Sequence, residues 1–271
     1  MKLSRIFFHL WVSIGIIPFV FSTPANSEES ADELARQLAN PVAALISVPF
    51  QFNYDRGIGP ADDGKRFTIN VQPVVPFELN DRWNLISRTI IPLINQEDIV
   101  PGSGTQTGLS DTVQTLFFSP RPGASGIIWG LGPVFLLPTA TDELLGTEKW
   151  GAGPSAVLLR QTGRWTYGGL MNHIESFAGK GSRADISSTF LNPFISRGFQ
   201  GGWTLGTQLE HTLDHENNQD TGAWAVFLSK VFRIGNQSMS VSISPKYWYK
   251  ESSSSAEGFA VRANLTLLFP R

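Results

Sequence analysis

The chain has 271 residues, no cysteine, 41% hydrophobic residues and only 16% charged ones. Without cysteine, neither a disulfide framework nor a thiolate metal site can form. A formal charge of -2 with no basic block argues against nucleic acid as a partner.

At the N-terminus, Lys2 and Arg5 precede an apolar stretch, Ile6 to Phe21, that ends at Ser22 and Pro24. Ala25-Asn26-Ser27 is a small-x-small cleavage site. Residues 1–27 therefore read as a signal peptide and Glu28 as the first mature residue. Beyond this segment, no apolar run nears the ~20 residues a spanning helix needs.

Residues 28–41 are expected to carry a periplasmic helix. Ser30 and Glu33 fit a capping box, Glu28, Glu29 and Asp32 suit the positive helix end, and Pro41 stops it. The narrow stripe Ala31, Leu34, Ala35 and Leu38 leaves two readings open. The helix plugs or braces the mouth of a barrel, or it is a loosely attached leader.

From 42 to 271 the period is two, the signature of strands with one apolar and one polar face. In Val42 to Tyr54, Ile46, Val48, Phe50 and Phe52 alternate with Ser47, Gln51 and Asn53. In Arg66 to Phe77, Phe67, Ile69, Val71, Pro73, Val75 and Phe77 alternate with Thr68, Asn70 and Gln72. Similar runs are expected at 83–95, 108–119, 126–138, 150–161, 165–176, 186–197, 203–214, 222–232, 238–250 and 257–269. Alternation is poor near 83–95, 126–138, 186–197 and 222–232. The last run puts Phe259, Val261, Ala263, Leu265, Leu267 and Phe269 on one face and Arg262, Asn264 and Thr266 on the other.

The connections alternate in length. Long polar ones fall at 55–65, 96–107, 139–149, 177–185, 215–221 and 251–256. Short ones fall near 79–82, 120–125, 162–164, 198–202 and 233–237. Long outside and short inside is the outer-membrane pattern, with both termini in the periplasm. Trp83, Trp165 and Trp203 open strands after short turns, and Phe77, Phe232 and Phe269 close strands before short turns or the chain end. These six predict one aromatic girdle. Tyr54, Trp150, Phe177, Trp224, Tyr247 and Tyr249 predict the other.

The expected fold is all-β: a closed antiparallel transmembrane β-barrel of about 12 strands with a short N-terminal helix. Closure follows because no backbone edge can face lipid. Outer-membrane lipids, a small-molecule solute and the barrel-assembly machinery, through the C-terminal strand, are the expected partners.

The stretches LISVPFQFNYDRGIG (45–59), QPVVPFELNDRWNLISRTIIPLI (72–94), GLSDTVQTLFFSP (108–120), WGLGPVFLLPTATDELLGTEKWGAGPSAVLL (129–159) and LLFP (267–270) resemble a family of bacterial outer-membrane barrels. That family is named for a MetA pathway of phenol degradation and is also met under the misnomer neuromedin U. The resemblance implies an outer-membrane channel or transporter, in some cases linked to breakdown of aromatic compounds. It carries over no catalytic or binding residue.

Read for chemistry, the residues offer little beyond the barrel interior. His211 and His215 form an H-x-x-x-H pair, but on a strand end they stand roughly 13 Å apart, too far to share one zinc. Glu210 and Asp214, on the other parity, could attract a cation at the mouth. Asn172, His173 and Ser176 suggest a lipase. However, His173 and Ser176 have opposite parity and no G-x-S-x-G motif is present. Gly102-Ser103-Gly104 and Gly179-Lys180-Gly181 lie in outer loops rather than between a strand and a helix. Neither a catalytic set, nor a metal site, nor a cofactor is read.

The expected lumen residues are Thr68, Asn70, Gln72, Arg88, Gln208, Glu210, Lys246, Arg262 and Asn264, with Ser242, Ser244 and Thr266. They line a water-filled path, or they pair with one another and fill the barrel; about twelve strands is intermediate between filled and open barrels. Strand prolines are numerous: Pro49, Pro73, Pro76, Pro92, Pro133, Pro138, Pro154, Pro193 and Pro245. Each withholds a ladder N–H. Either they make bulges that curve the wall, or they mark weak points through which an apolar solute leaves sideways.

Overall fold

The computed structural model describes residues 25–270 except 101, 124, 253 and 254, with side chains from residue 31 onward. The expected signal segment lies outside the described residues apart from Ala25–Ser27, which form the first turn of the helix α1, Ala25–Leu38. Ser30 therefore sits inside the helix and not at its cap. Glu33 still has a role, accepting from Arg36 Nε at 2.8 Å and from Gln37 Nε2 at 3.0 Å.

Fourteen strands follow: β1 Ile46–Ile58, β2 Gly64–Val71, β3 Val74–Glu78, β4 Trp83–Glu97, β5 Thr105–Leu109, β6 Thr112–Pro120, β7 Ile127–Leu137, β8 Lys149–Thr162, β9 Trp165–Gly179, β10 Ser187–Phe199, β11 Trp203–Asp214, β12 Gln219–Ile234, β13 Gln237–Lys250 and β14 Gly258–Phe269. Neighbours pair antiparallel in chain order. β1 pairs with β14 from Ile46↔Phe269 to Tyr54↔Val261, which closes the sheet into a barrel. The fourteen segments fill twelve wall positions, because β2 with β3, and β5 with β6, each share one.

The expected run 66–77 spans the first broken pair, whereas the run 108–119 takes in β6 and only the last two residues of β5, the others falling in the expected loop 96–107. Gln72-Pro73 interrupts the first, where Pro73 lacks a ladder donor. Ser110-Asp111 interrupts the second, where both residues bond to a loop instead. Pro138 lies beyond β7 and is not a strand proline.

The outward face is apolar. Phe259 is 68% exposed, Leu158 60% and Ile243 59%. Trp165, Trp203, Phe77 and Phe269 are exposed at the short-turn end, and Tyr54, Trp150, Phe177, Trp224, Tyr247 and Tyr249 at the long-loop end.

The inward face is divided. From β4 to β9 it carries the larger apolar cluster, Ile86, Phe117, Ile128, Val157, Leu159 and Leu170 with Val42, interspersed with buried Asn84, Thr115, Ser155 and Thr166. This explains why the runs near 83–95 and 126–138 alternate poorly, since both of their faces are greasy. From β10 round through β14 to β2 polar residues predominate inward, with Phe194, Val231 and Leu268 among them.

The helix α1 sits in the short-turn mouth. Leu34 and Ala35 are buried against Leu45, Val231 and Leu268, with Ala31 and Leu38 beside them. The stripe thus braces the barrel. Asp32 accepts from the Gly202 backbone N–H at 2.7 Å, and Gln161 Nε2 donates to the Arg36 carbonyl at 2.8 Å.

Candidate functional site: the barrel interior

Strand registers place the expected interior residues on one face. Asn70 pairs with Gln51, Thr68 and Arg262 both pair with Asn53, and Asn264 pairs with Ser242 and Gln51. Arg262 on β14 reaches across the interior to Glu210 on β11, with Nη1–Oε1 2.5 Å and Nη2–Oε2 2.9 Å. Its Nε donates to Asn53 Oδ1 at 2.7 Å, and Gln208 Nε2 donates to Glu210 Oε1 at 2.7 Å. A bidentate guanidinium–carboxylate pair is the strong form of this contact. Asn264 Nδ2 donates to Ser242 Oγ at 2.8 Å, and Asn70 Nδ2 to Gln51 Oε1 at 3.1 Å.

Lys246 pairs not with Glu210 but with Asp55 on β1, at 2.9 Å. Trp248 Nε1 donates to the same Asp55 oxygen at 2.9 Å, and the Lys246 ammonium sits 4.3 Å from the Trp248 ring centroid. Sequence reasoning missed Asp55 by assigning it to an outer loop, whereas β1 continues to Ile58. Trp248 was legible: it sits between outward Tyr247 and Tyr249 and so points in.

Arg88 hydrogen-bonds outside this network, although the Glu210 charge reaches it through space. Its Nη2 donates to Gln72 Oε1 at 3.0 Å, and among the described residues it makes no ion pair. Arg66, another missed interior cation, donates to Gln96 Oε1 at 3.1 Å.

The expected cation attraction at Glu210 and Asp214 is not what these carboxylates do. Glu210 is taken by Arg262, and Asp214 accepts from the backbone N–H groups of Glu216 and Asn217 at 3.0 and 3.1 Å. The two histidines turn to opposite neighbours. His211 bonds Tyr249 Oη at 2.8 Å, while His215 and His173 both bond Thr189 Oγ1 at 2.9 Å. Ser176 donates to Asp185, away from His173.

Residues 38–45 enter the barrel and divide its space. A cavity of about 290 Å³ lies between Leu38 and Pro41 on one side and Gln208, Arg262 and Asn264 on the other. A second of about 180 Å³ lies between the same two residues and Val74, Arg88 and Leu170. Gly130 lets Val42 approach the wall: a Cβ there would come within 3.3 Å of both Val42 and Phe117 and 3.2 Å of Val157.

Loop 138–148 folds over the opposite mouth. Asp111 accepts from Thr147 N and Oγ1, each at 2.6 Å, and from Ala140 N at 3.2 Å. Gln96 Nε2 donates to the Leu144 carbonyl at 3.2 Å, and Leu145 is buried.

Besides the breaks beside Pro73 and Pro92, pairing is interrupted at Pro133, Pro154, Pro193 and Pro245. β10–β11 passes from Leu191↔His211 to Phe194↔Gln208, skipping Pro193. β12–β13 passes from Ala225↔Lys246 to Leu228↔Ile243, skipping Pro245. In both, the side chain before the proline fills in. Asn192 Nδ2 donates to the Leu209 carbonyl at 2.8 Å, and Ser244 Oγ donates to the Val226 carbonyl at 2.9 Å.

At Pro133 and Pro154 the preceding residue is glycine. There the carbonyls of Leu116 and His173 lean into the space a Cβ on Gly132 or Gly153 would occupy. Outside the wall, over β8–β11, an apolar groove of about 1000 Å³ runs past Leu158, Met171 and Pro193 and shares Leu170 and Asn192 with the inner cavities.

A closed antiparallel barrel with an apolar outside, two aromatic belts and charged pairs within is the fold of an outer-membrane β-barrel. It is similar to the COG4313 outer membrane channel from Pseudomonas putida F1, with TM-score 0.66 and 15% identity over 83% of this chain and 96% of that one. Weaker likenesses are to the β domain of the Bordetella autotransporter BrkA (TM-score 0.47, 12% identity, 83% and 100% covered) and to the CymD monoaromatic hydrocarbon channel (TM-score 0.47, 9% identity, 87% and 92% covered). No protein-family model and no curated protein matches the chain.

Proposed function

We propose that the protein is an outer-membrane channel that passes small molecules, hydrophobic or aromatic ones among them. The observation that carries this reading is that the interior is divided by a segment ahead of the first strand and not by the wall. Residues 38–45 belong to the chain ahead of β1, and Val42 covers an apolar surface that a small apolar solute would cover equally well. Support comes from the resemblance to the phenol-degradation barrels and from the channel whose fold this chain shares. The outward apolar face would lie in lipid, and β14 would be the strand handed to the barrel-assembly machinery.

The groove outside β8–β11 suggests a sideways exit for apolar solutes at the Asn192-Pro193 interruption. Ordinary passage through the far mouth would require loop 138–148 to lift.

A second reading, a filled barrel serving structure or surface contacts, is favoured by the bonds that hold that loop down. Single-channel recording in planar bilayers separates the two. The channel reading expects conductance from the full chain that rises in Val42→Asn, which loosens the plug from the apolar wall. Silence from both proteins, with correct folding shown by heat-modifiable gel mobility, would leave the filled barrel.

A further inference from the structure

Among the described residues, Arg66, Arg88, Lys246 and Arg262 face the interior near the carboxylates Asp55 and Glu210. Both carboxylates are engaged, by Lys246 and by Arg262. Two guanidinium groups hydrogen-bond only to amides, Gln96 for Arg66 and Gln72 for Arg88, and feel a carboxylate only through space, Asp55 and Glu210 respectively, each already bonded to another cation. A guanidinium stays charged at any ordinary pH. Set in a partly desolvated interior, it draws an anion.

The two sites differ. Gln96 is buried and is tied to Gln106 and the Leu144 carbonyl, under the loop that covers the outer mouth. Arg88 instead borders the cavity of about 180 Å³, whose other sides include Leu38, Pro41, Val74 and Leu170. It lies on β4 two residues from Ile86, a member of the apolar cluster. Arg88 therefore stands at the seam between the polar and apolar halves of the interior.

Gln72 fixes it there. The β2–β3 break leaves Gln72 anchored by its backbone N–H on the Pro49 carbonyl at 2.8 Å, with its side-chain oxygen aimed at Arg88.

We propose that this cavity binds a small amphiphilic organic anion, an aromatic or short acyl carboxylate. The acid group meets the Arg88 guanidinium, and the hydrocarbon lies on Leu170, Val74 and Leu38. The proposal deepens the channel reading by naming the class of solute and relies on it for access to the cavity. A guanidinium can hold a carboxylate through two parallel N–H···O bonds, which a neutral isostere cannot return.

Equilibrium dialysis of the purified full-length protein in detergent, at neutral pH, tests this with three probes of one shape: benzoate, benzyl alcohol and benzylamine. Benzoate is expected to bind about tenfold or more tightly than the alcohol, and the amine most weakly. Arg88→Gln is expected to bring benzoate down to the level of the alcohol and leave the alcohol unchanged. Leu170→Asn is expected to weaken benzoate and benzyl alcohol together. Equal binding of all three probes to the unmodified protein overturns the proposal without any variant having to fold, as does benzoate binding that survives Arg88→Gln. Conductance is read separately. A silent barrel that binds benzoate through Arg88 would end the channel reading and keep the site, and a conducting barrel indifferent to the three probes would do the reverse.

Discussion

Asn192 stands in for the donor that Pro193 lacks: its side-chain amide bonds the Leu209 carbonyl at 2.8 Å across the β10–β11 seam. A buried carbonyl stripped of its partner costs about 1–3 kcal/mol. Asn192→Ala is therefore expected to destabilise the barrel by that amount in urea titrations in lipid vesicles. Adding Pro193→Val, which restores a backbone N–H, is expected to recover most of the loss. Absence of recovery would mean that Asn192 acts on something other than the ladder.

The Arg262–Glu210 pair predicts a similar asymmetry. Removing one member of a buried pair leaves an uncompensated charge, at a cost of about 3–5 kcal/mol, whereas an apolar replacement of both is often neutral. Arg262→Met is expected to be the worse variant, and Arg262→Met with Glu210→Leu to regain much of the stability, in the same urea titration.

Loop 138–148 hangs on Asp111. Three hydrogen bonds to one carboxylate are each worth about 1.5–3 kcal/mol, so losing even one shifts the loop's opening equilibrium by about tenfold or more. Asp111→Ala is expected to increase open time in single-channel records and to speed protease cleavage within the loop. An unchanged record would show that the loop does not control passage.

Acid should release the neighbouring loop as well. Asp185, outside the strands, accepts from Lys149 Nζ at 2.7 Å, and this bond and charge hold its carboxyl below the usual carboxylate range. A lowered value in the folded state means that the contact contributes above the ordinary carboxylate range and is lost as pH falls through the lowered value. The cysteine-free chain allows Ser182→Cys to carry a single spin label. The label is expected to be immobile near pH 7 and mobile in strong acid, and mobile throughout in Asp185→Asn. A label indifferent to pH would put the anchor elsewhere.

Much of this architecture could be read from residue order because lipid and backbone pairing leave few choices. Strict alternation in 257–269 and in 203–214 translates directly into β14 and β11. Where the reading faltered, a second physical demand was at work. Strands β4 and β7 carry apolar residues on both faces, since their inward side meets Val42 rather than water. Asp55 looked like loop because aspartate followed by Arg56-Gly57 resembles a turn, yet its charge is spent inside, on Lys246. The partners of Arg262 and Lys246 join strands far apart in the chain, and no local pattern encodes which carboxylate each one meets.

Val42 rests over Gly130 against Phe117 and Val157. Were it to withdraw, that greasy panel would be bared to solvent, so opening without a replacement costs apolar burial. A greasy traveller lying on the same panel would offset that cost, so open time should lengthen when such a molecule is present.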